Sequence, residues 1–365
     1  MLKGVKLLFD LRPKERPEEL FGRGSELEEV LRLVRLGSWV VILGPRMVGK
    51  SSLLKVSRAV LEKQGYRALY LSLWGVRGFG EFLLALLDAL NNARPLLEKL
   101  KEGLRGIREL EFGPSGLSVR IKKRPFTVTT QIFSVLGRYG GKTVIALDEV
   151  QELSAITPRF LKLLAYIFNT YPNMTFIFSG SMFGTIGTLL NPPSTSPLYG
   201  RPPAKIILKS FDRETSLRFL EKGFSELEVR MKIEELEEAV DELDGVVGWL
   251  TLYGNYVAVR RIPHREALDS TYMDGYKIVE DELEHFLEGR TNKELYLEAL
   301  KVIATRARWS EIKRSLEIRL GRPVNDATIK NMLDNLQKAI LIKKENKHYS
   351  VQDPILRRYL LQTRS

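Results

Sequence analysis

Apolar positions in the first 210 residues form two kinds of pattern that alternate along the chain. Segments such as SSLLKVSRAVLEKQG and FGEFLLALLDALNNA repeat apolar residues at the spacing of a helix. Between such segments lie five short, continuously apolar runs, which predict strands buried on both faces: SWVVILG, YRALYLSLWG, KTVIALDEV, MTFIFSGS and AKIILKSF. Strands that alternate with helices of this length indicate an α/β fold with a parallel sheet.

Three segments depart from this alternation. A Gly-Pro-Ser-Gly turn between alternating residues predicts a hairpin insertion at about 100–124, and residues 211–290 carry helical spacing alone. Residues 291–365 predict three helices followed by two short strands around a polar turn, which is the winged-helix variant of helix-turn-helix. The sequence therefore predicts a core domain at 1–210, an all-helical lid domain at 211–290 and a winged-helix domain at 291–365.

The stretch Gly44-Pro-Arg-Met-Val-Gly49-Lys50-Ser51 matches GxxxxGK[ST] at every fixed position, directly after a predicted strand and before a helix. The glycines permit backbone angles that a Cβ would block, and the N–H groups of such a loop wrap phosphates at the positive end of the helix. Lys50 is expected to contact the β- and γ-phosphates, and the Ser51 hydroxyl to bind Mg²⁺. The residues predicted to bind nucleotide here are Gly44, Pro45, Arg46, Val48, Gly49, Lys50, Ser51 and Ser52.

Two adjacent carboxylates end the third predicted strand, in TVIALDEV. Burying them is unfavourable unless they face a cation or water. We therefore expect Asp148 to hold Mg²⁺, usually through water, and Glu149 to polarise the attacking water as general base. A strand end capped by solvated acids is the alternative. The next strand ends at Ser179, which either senses hydrolysis between the carboxylates and the γ-phosphate or only forms a strand-end turn.

Composition narrows the remaining classes. The chain has no cysteine and three dispersed histidines, which excludes disulfides and thiolate nucleophiles and disfavours a zinc enzyme. Charged residues make up 28% of the chain and interrupt every long apolar run, so no membrane segment is expected. The charged N-terminus predicts no signal peptide, and a cytoplasmic location is expected. The absence of cysteine and the many lysines, arginines and glutamates also fit a thermophile.

The net charge is +12, and residues 291–365 contain 16 Lys and Arg against 8 Asp and Glu, a net +8. This excess indicates either a polyanion partner or a solvated basic surface. Helical spacing in the third helix of this part turns Asp334 outward with several polar residues, although its charge would repel phosphate. The residues predicted to contact double-stranded DNA are Lys330, Asn331, Asn335, Lys338, Lys343, Lys344, Lys347 and His348. A winged helix that contacts protein or extends the lid is the alternative.

Six segments, in this order, resemble the archaeal ATPase family, which is related to the AAA+ and STAND branches of the P-loop NTPases: LFGRGSELEEV, GPRMVGKSSLL, VIALDEVQEL, FIFSGS, SPLYGRPPAKIILKSF and GVVGWLTLYG. The resemblance implies a sheet ordered 5-1-4-3-2, a helical lid and a winged helix. It also implies that Phe21-Gly22-Arg23 lies beside adenine and that Arg201 approaches the nucleotide. An ordinary surface or sheet-edge arginine is the alternative for Arg201. ATP is expected rather than GTP, because no strand ends in Asn-Lys-x-Asp.

These observations support three functional hypotheses. The leading one is an Mg²⁺-dependent ATPase that hydrolyses ATP to ADP and converts nucleotide state into movement of the lid and the winged helix. The second is a nucleotide-gated DNA-binding regulator whose hydrolysis is slow or incidental. The third is a STAND-like scaffold in which ATP switches assembly with a protein client or into a homo-oligomer.

Overall fold

The computed structural model describes residues 7–120, 124–180, 185–288 and 290–363. These residues form two compact units. The sheet unit comprises Pro13–Leu43 and Lys50–Leu208. The helical unit comprises the described residues of Met1–Arg12, Gly44–Gly49 and Lys209–Ser365. This division does not separate a lid from a winged helix, so the domain boundaries at 210 and 290 stay a prediction.

The sheet unit contains a five-stranded parallel sheet and a small hairpin. Its strands are β1 Val40–Leu43, β2 Arg67–Ser72, β3 Leu110–Gly113, β4 Gly116–Val119, β5 Thr143–Asp148, β6 Met174–Gly180 and β7 Ala204–Ile207. The large sheet has the order β2-β5-β6-β1-β7 with every pair parallel, which confirms the order 5-1-4-3-2. β1, β5 and β6 are buried along their whole length, which explains why their apolar runs are continuous.

Helices connect these strands. They are α1 Gly24–Arg35, α2 Lys50–Lys63, α3 Phe79–Asn92, α4 Arg94–Arg105, α5 Pro125–Arg138, α6 Thr157–Thr170 and α7 Thr185–Leu190, with 3-10 turns at Pro17–Glu19 and Val150–Ile156. The predicted hairpin is β3 paired antiparallel with β4, which follows α4. Asn91 of α3 holds β4, because its side chain bonds both the N–H and the carbonyl of Leu117 at 2.8 and 2.9 Å.

The helical unit contains two groups of elements after residue 209. The first group forms the predicted lid, and its members are here called the lid helices: α8 Arg213–Glu226, α9 Ile233–Leu243, α10 Val247–Gly254 and α11 His264–Leu287, with a π-helical turn at Asn255–Val259 after α10. The second group is α12 Lys293–Ile303, β8 Ala307–Arg308, α13 Trp309–Leu320, α14 Asp326–Lys338, β9 Ile342–Glu345, β10 His348–Val351 and α15 Pro354–Gln362. The antiparallel order β8-β10-β9 beside three helices confirms the winged helix, whereas β8 and α15 were not predicted.

Residue Phe9 belongs to the core of the lid helices. Its side chain is fully buried, and its ring meets those of Phe219 and Phe224 with centroids 5.8 and 4.9 Å apart. A Cβ on Gly223 or Gly254 would lie 2.3–2.4 Å from this ring, so both positions require glycine. The backbone is tied as well, because the Phe9 carbonyl accepts a hydrogen bond from an asparagine side chain of the π-helical turn.

No helix among the described ranges combines the length and the apolar character needed to cross a bilayer.

Candidate nucleotide site

The segment Gly44–Gly49, here called the phosphate loop, joins β1 to the first residue of α2. Its backbone takes left-handed angles at Met47 (φ +62°) and at Gly49 (φ +95°), and the latter angle strains any residue with a Cβ. Val48 is fully buried. Lys50 and Ser51 follow as the half-buried first residues of α2, where helix N–H groups favour anions. The predicted strand–loop–helix is therefore present.

Asp148 is the last residue of β5 and is almost fully buried, with 4% of its surface exposed. Its carboxylate has two hydroxyl partners from neighbouring strands. The Tyr70 hydroxyl of β2 donates to Oδ2 at 2.9 Å, and the Ser179 hydroxyl of β6 donates to Oδ1. Ser179 also lies in register with Ile42 of β1, the strand that leads into the phosphate loop. The structure thus brings Asp148 and Ser179 together at the carboxyl edge of the sheet.

Glu149 follows Asp148 in a left-handed conformation, with φ +58°. Non-glycine residues in this region are strained, and such strain concentrates at functional sites. The side chain is half-buried and accepts a hydrogen bond from Nε2 of Gln151. Gln151 packs closely against the end of β6, because a Cβ on Gly180 would lie 2.2 Å from its Oε1. The sequence analysis missed Gln151, whose signal is an amide two residues after the carboxylate pair.

Tyr70 is a second residue that the sequence analysis missed. Burial and the neighbouring carboxylate of Asp148 raise the pKa of Tyr70 well above its ordinary value. The hydroxyl donates to Asp148, and the raised pKa is the consequence of this contact and of burial. Its signal in the sequence is a tyrosine in the middle of the apolar run of β2.

The oxygen groups at this edge suit Mg²⁺. This ion prefers oxygen ligands and is commonly bound by one or two carboxylates together with substrate phosphates. Across the described ranges, no group of three or more His, Cys, Asp and Glu side chains could hold a metal by itself. Asp148 uses two of its lone pairs for Tyr70 and Ser179, which leaves others for a metal-bound water. The residues fit a cation that nucleotide phosphates help to hold.

The predicted adenine-side residues lie just before and at the start of α1. Arg23 is buried and pairs with Glu26 at 3.0 Å, Phe21 is half-buried, and Gly22 is exposed. Burial lowers the pKa of Arg23, and Glu26 partly opposes this effect. Ser52 of α2 accepts the backbone N–H of Lys14 at 3.0 Å, so its hydroxyl ties the preceding segment to α2. A nucleotide role for these residues stays a prediction.

Arg201 is not brought to the other predicted site residues. It is exposed, it donates to Oδ1 of Asn169 at 2.7 Å, and its guanidinium lies 5.3 Å from the ring centroid of Phe168. It precedes β7, whose first residue is in register with the first residue of β1. In a parallel sheet this position is the amino edge, whereas the phosphate loop follows the carboxyl end of β1. This position favours the sheet-edge alternative for Arg201, and its approach to the nucleotide stays a prediction.

Within the helical unit, the phosphate loop is held by the start of α10. The backbone N–H of Gly248 donates to the carbonyl of Met47 at 2.7 Å. A Cβ on Gly248 would lie 2.7 Å from both the Cβ and the carbonyl oxygen of Met47. Glycine is therefore required at this contact. Val247, which begins α10, lies 3.6 Å from the place where a Cβ of Gly49 would be.

The winged helix carries exposed charge on α14 and on the β9–β10 turn. The buried stripe of α14 is as predicted, and the exposed cations are Lys330, Lys338, Lys343, Lys344 and Lys347, with Asn331 and Asp334 exposed beside them. Asn335, predicted to face outward, is half-buried and its Nδ2 donates to the Tyr296 hydroxyl at 2.9 Å, and its contact with DNA stays a prediction. His348 is half-buried and its Nε2 accepts from Arg308 at 3.1 Å.

A parallel sheet of order 5-1-4-3-2, a phosphate loop directly after β1 and an acidic strand end define a P-loop NTPase, here with a winged helix. The chain belongs to the family described as the ATPase domain predominantly from Archaea, whose pattern matches residues 20–252. Residues 290–351 match the C-terminal winged helix-turn-helix domain of MCM proteins. No curated protein sequence matches the chain.

Solved structures agree with this assignment. A Walker-type ATPase of Pyrococcus abyssi is 29% identical, with a TM-score of 0.79 over 97% of this chain and 99% of that one. The ORC2 protein of Aeropyrum pernix, solved in ADPNP–ADP complexes, is 15% identical, with a TM-score of 0.64 over 97% and 96%. Cdc6p of Pyrobaculum aerophilum is 15% identical, with a TM-score of 0.50 over 97% and 96%. The last two show similarity of fold.

Proposed function

We propose that the chain is an Mg²⁺-dependent ATPase whose reaction is the hydrolysis of ATP to ADP and phosphate. One observation carries the proposal: Asp148 is buried, ionisable and hydrogen-bonded to Ser179, at the sheet edge where β1 leads into the phosphate loop. A buried carboxylate is unfavourable without a cation or donors that stabilise it. Asp148 has two such donors, and one of them, Ser179, lies in register with Ile42 of β1, the strand that precedes the phosphate-binding motif.

Each residue has a role that follows from its position. The N–H groups of the phosphate loop and the Lys50 ammonium would bind the β- and γ-phosphates, and Ser51 with Asp148 would hold Mg²⁺. Bound Mg²⁺ would neutralise charge on the phosphate oxygens. Glu149, oriented by Gln151, would accept the proton of the attacking water. Ser179 would connect Asp148 to the end of β1 and respond to loss of the γ-phosphate.

Two substitutions test this assignment. Lys50→Ala is expected to abolish tight ATP binding, because the point charge on the phosphates is lost. Glu149→Gln is expected to bind ATP normally and to stop turnover. Binding is measured with a fluorescent ATP analogue and turnover by phosphate release.

Each variant has a matched control in the same segment. Lys63→Ala removes an exposed lysine at the last turn of α2, and Glu152→Gln neutralises a carboxylate three residues after Glu149. Both controls are expected to behave as the wild type. Hydrolysis by Glu149→Gln at the normal rate would show that Glu149 is not the base.

The contact between Met47 and Gly248 supports a further part of the proposal, namely that nucleotide state moves the lid helices and the winged helix. The phosphate loop belongs to the same compact unit as both of these parts. A shift of the phosphate loop would therefore first displace the start of α10. Amide hydrogen exchange at residues 247–254, compared with and without Mg²⁺ and a non-hydrolysable ATP analogue, would reveal the coupling, and identical exchange would exclude it.

The exposed lysines of the winged helix support a second candidate, a DNA-binding regulator gated by nucleotide. Five lysines of α14 and the β9–β10 turn are exposed, although Lys343 pairs with Glu345 at 3.2 Å. Neutralising phosphates releases counterions, so affinity for duplex DNA should fall steeply with salt. Binding isotherms across salt concentrations, with and without ATP, test this candidate. Absence of binding at low salt would eliminate it.

A further inference from the structure

Strand register places Tyr70 and Asp148 on one face of the sheet. Tyr70 of β2 lies in register with Ala146 of β5, and Asp148 is two residues further along β5. Side chains alternate along a strand, so Ala146 and Asp148 project to the same face as Tyr70. The phenol is long enough to reach its diagonal neighbour, and its hydroxyl lies 2.9 Å from Oδ2.

The ring of Tyr70 is held from the side of α2. The Lys55 ammonium lies 4.9 Å from the ring centroid, and it also pairs with Glu15 at 3.2 Å. A cation over an aromatic face is attracted to it, so Lys55 limits the movement of the ring. Lys55 is one turn after Ser51 on the same helix. The helix that begins at the phosphate loop therefore also holds the residue that bonds to Asp148.

The two oxygens of Asp148 have different partners. Ser179 of β6 donates to Oδ1 and Tyr70 of β2 donates to Oδ2, so the carboxylate is held from both neighbouring strands. With two donors on opposite oxygens, rotation of the carboxylate about its last bond would break both hydrogen bonds. If either donor is removed, a single hydrogen bond remains to restrain rotation of the carboxylate.

We propose that Tyr70 is a positioning residue that orients the carboxylate of Asp148 toward the Mg²⁺-nucleotide complex. This inference rests on the proposed function, because it assigns a further residue to the same site. Tyr70 is not proposed to touch the nucleotide. Its contribution is to keep the free lone pairs of Asp148 in the direction in which a metal-bound water can donate.

The test is Tyr70→Phe, which keeps the ring under Lys55 and removes only the donor. The readout is the gain in affinity for a fluorescent ATP analogue when EDTA is replaced by Mg²⁺, because this gain reports the metal without requiring turnover. We expect the gain to fall about tenfold, the effect of losing one hydrogen bond to a charged group. Affinity in EDTA is expected to stay unchanged.

Tyr272→Phe is the matched control. Tyr272 of α11 is buried and its hydroxyl donates to the carboxylate of Glu242, so the same chemical group is removed from the lid helices. It should retain the full Mg²⁺ gain, and Asp148→Asn should lose it. A full gain in Tyr70→Phe, or an equal loss in Tyr272→Phe, overturns the role of Tyr70 alone. No Mg²⁺ gain in the wild type overturns the proposed function and this inference with it.

Discussion

The indole Nε1 of Trp249 donates a hydrogen bond of 2.9 Å to Oδ2 of Asp353. Trp249 is fully buried in α10, and Asp353 caps α15 by accepting two backbone N–H groups of that helix. The residue before the tryptophan is Gly248, whose N–H binds the carbonyl of Met47 in the phosphate loop. Two consecutive residues of α10 therefore hold the phosphate loop and the last helix of the chain.

This arrangement explains how a shift of the loop could reach α15 without long-range strain. Burial raises the pKa of Asp353, and the backbone donors of α15 and the indole of Trp249 oppose that effect. The carboxylate depends on these three donors for its stabilisation, so it has to follow α10 if the helix moves. Coupling between the loop and α15 would require α10 to have two positions, since proximity alone does not transmit a change.

The first prediction concerns Trp249→Phe, which keeps an aromatic ring and removes the indole donor. We expect the free energy of unfolding to fall by about 2 kcal/mol, because a partly buried carboxylate loses a partner. We also expect amide exchange in α15 to become insensitive to nucleotide, whereas in the wild type it should respond. Urea unfolding and hydrogen exchange at residues 354–362 measure the two effects.

Trp39→Phe serves as the control for this variant. Trp39 is also buried and donates its Nε1 hydrogen to the Met174 carbonyl at 3.3 Å, but it lies in the sheet unit. It should lower stability without changing the nucleotide response of α15. If both tryptophan variants keep the response, the contact between Trp249 and Asp353 does not carry the coupling.

The second prediction concerns Gly248→Ala. The added Cβ would lie 2.7 Å from the carbonyl oxygen of Met47, so the phosphate loop or the start of α10 has to shift. Affinity for ATP is expected to fall at least tenfold. Gly80→Ala is the matched control, because Gly80 is also the second residue of a helix and has open space around it. Equal affinities of the two variants, measured by titration calorimetry, would contradict the prediction.

The fold and the nucleotide motif could be predicted from the sequence because each rests on a local pattern. The continuous apolar runs of β1, β5 and β6 follow from burial on both faces. The sequence analysis left two alternatives open for Arg201, and its place just before β7, at the amino edge of the sheet, favours the sheet-edge arginine.

The contacts that complete the site could not be predicted, because they depend on register between distant segments. The bond between Tyr70 and Asp148 joins residues 78 positions apart, and that between Trp249 and Asp353 joins residues 104 apart. The sequence around Phe9 does not indicate that its ring packs against Phe219, which lies 210 positions later in the chain. Helical spacing places Asn335 on the outward face of α14, yet its side chain donates a hydrogen bond to the Tyr296 hydroxyl.

The third prediction concerns Ser179→Ala, which removes the donor to Oδ1 of Asp148. We expect kcat to fall about tenfold, because the carboxylate loses a hydrogen bond to its charged form. ATP affinity in EDTA is expected to stay unchanged. Ser57→Ala is the control, since Ser57 is fully buried in α2 and its hydroxyl has no hydrogen-bond partner among the described residues. Turnover by Ser179→Ala at the rate of Ser57→Ala would favour the strand-end turn as the role of Ser179.

The fourth prediction concerns the exposed face of α14, where Asp334 lies among Lys330 and Lys338. If this face contacts the DNA backbone, Asp334→Asn should strengthen duplex binding, because a charge that repels phosphate is removed. Lys330→Ala should weaken binding uniformly across sequences and reduce the slope of log K against log salt by about 0.9. Fluorescence anisotropy at several salt concentrations measures both changes.

Lys162→Ala provides the control for this face, since Lys162 is an equally exposed lysine on α6 of the sheet unit. It should leave both affinity and salt slope unchanged if binding is confined to the winged helix. Tighter DNA binding by Asp334→Asn together with weaker binding by Lys330→Ala would locate the DNA at α14. A general loss of fold stability would weaken binding in both variants. Equal binding by all three variants would show that this face of α14 does not contact DNA.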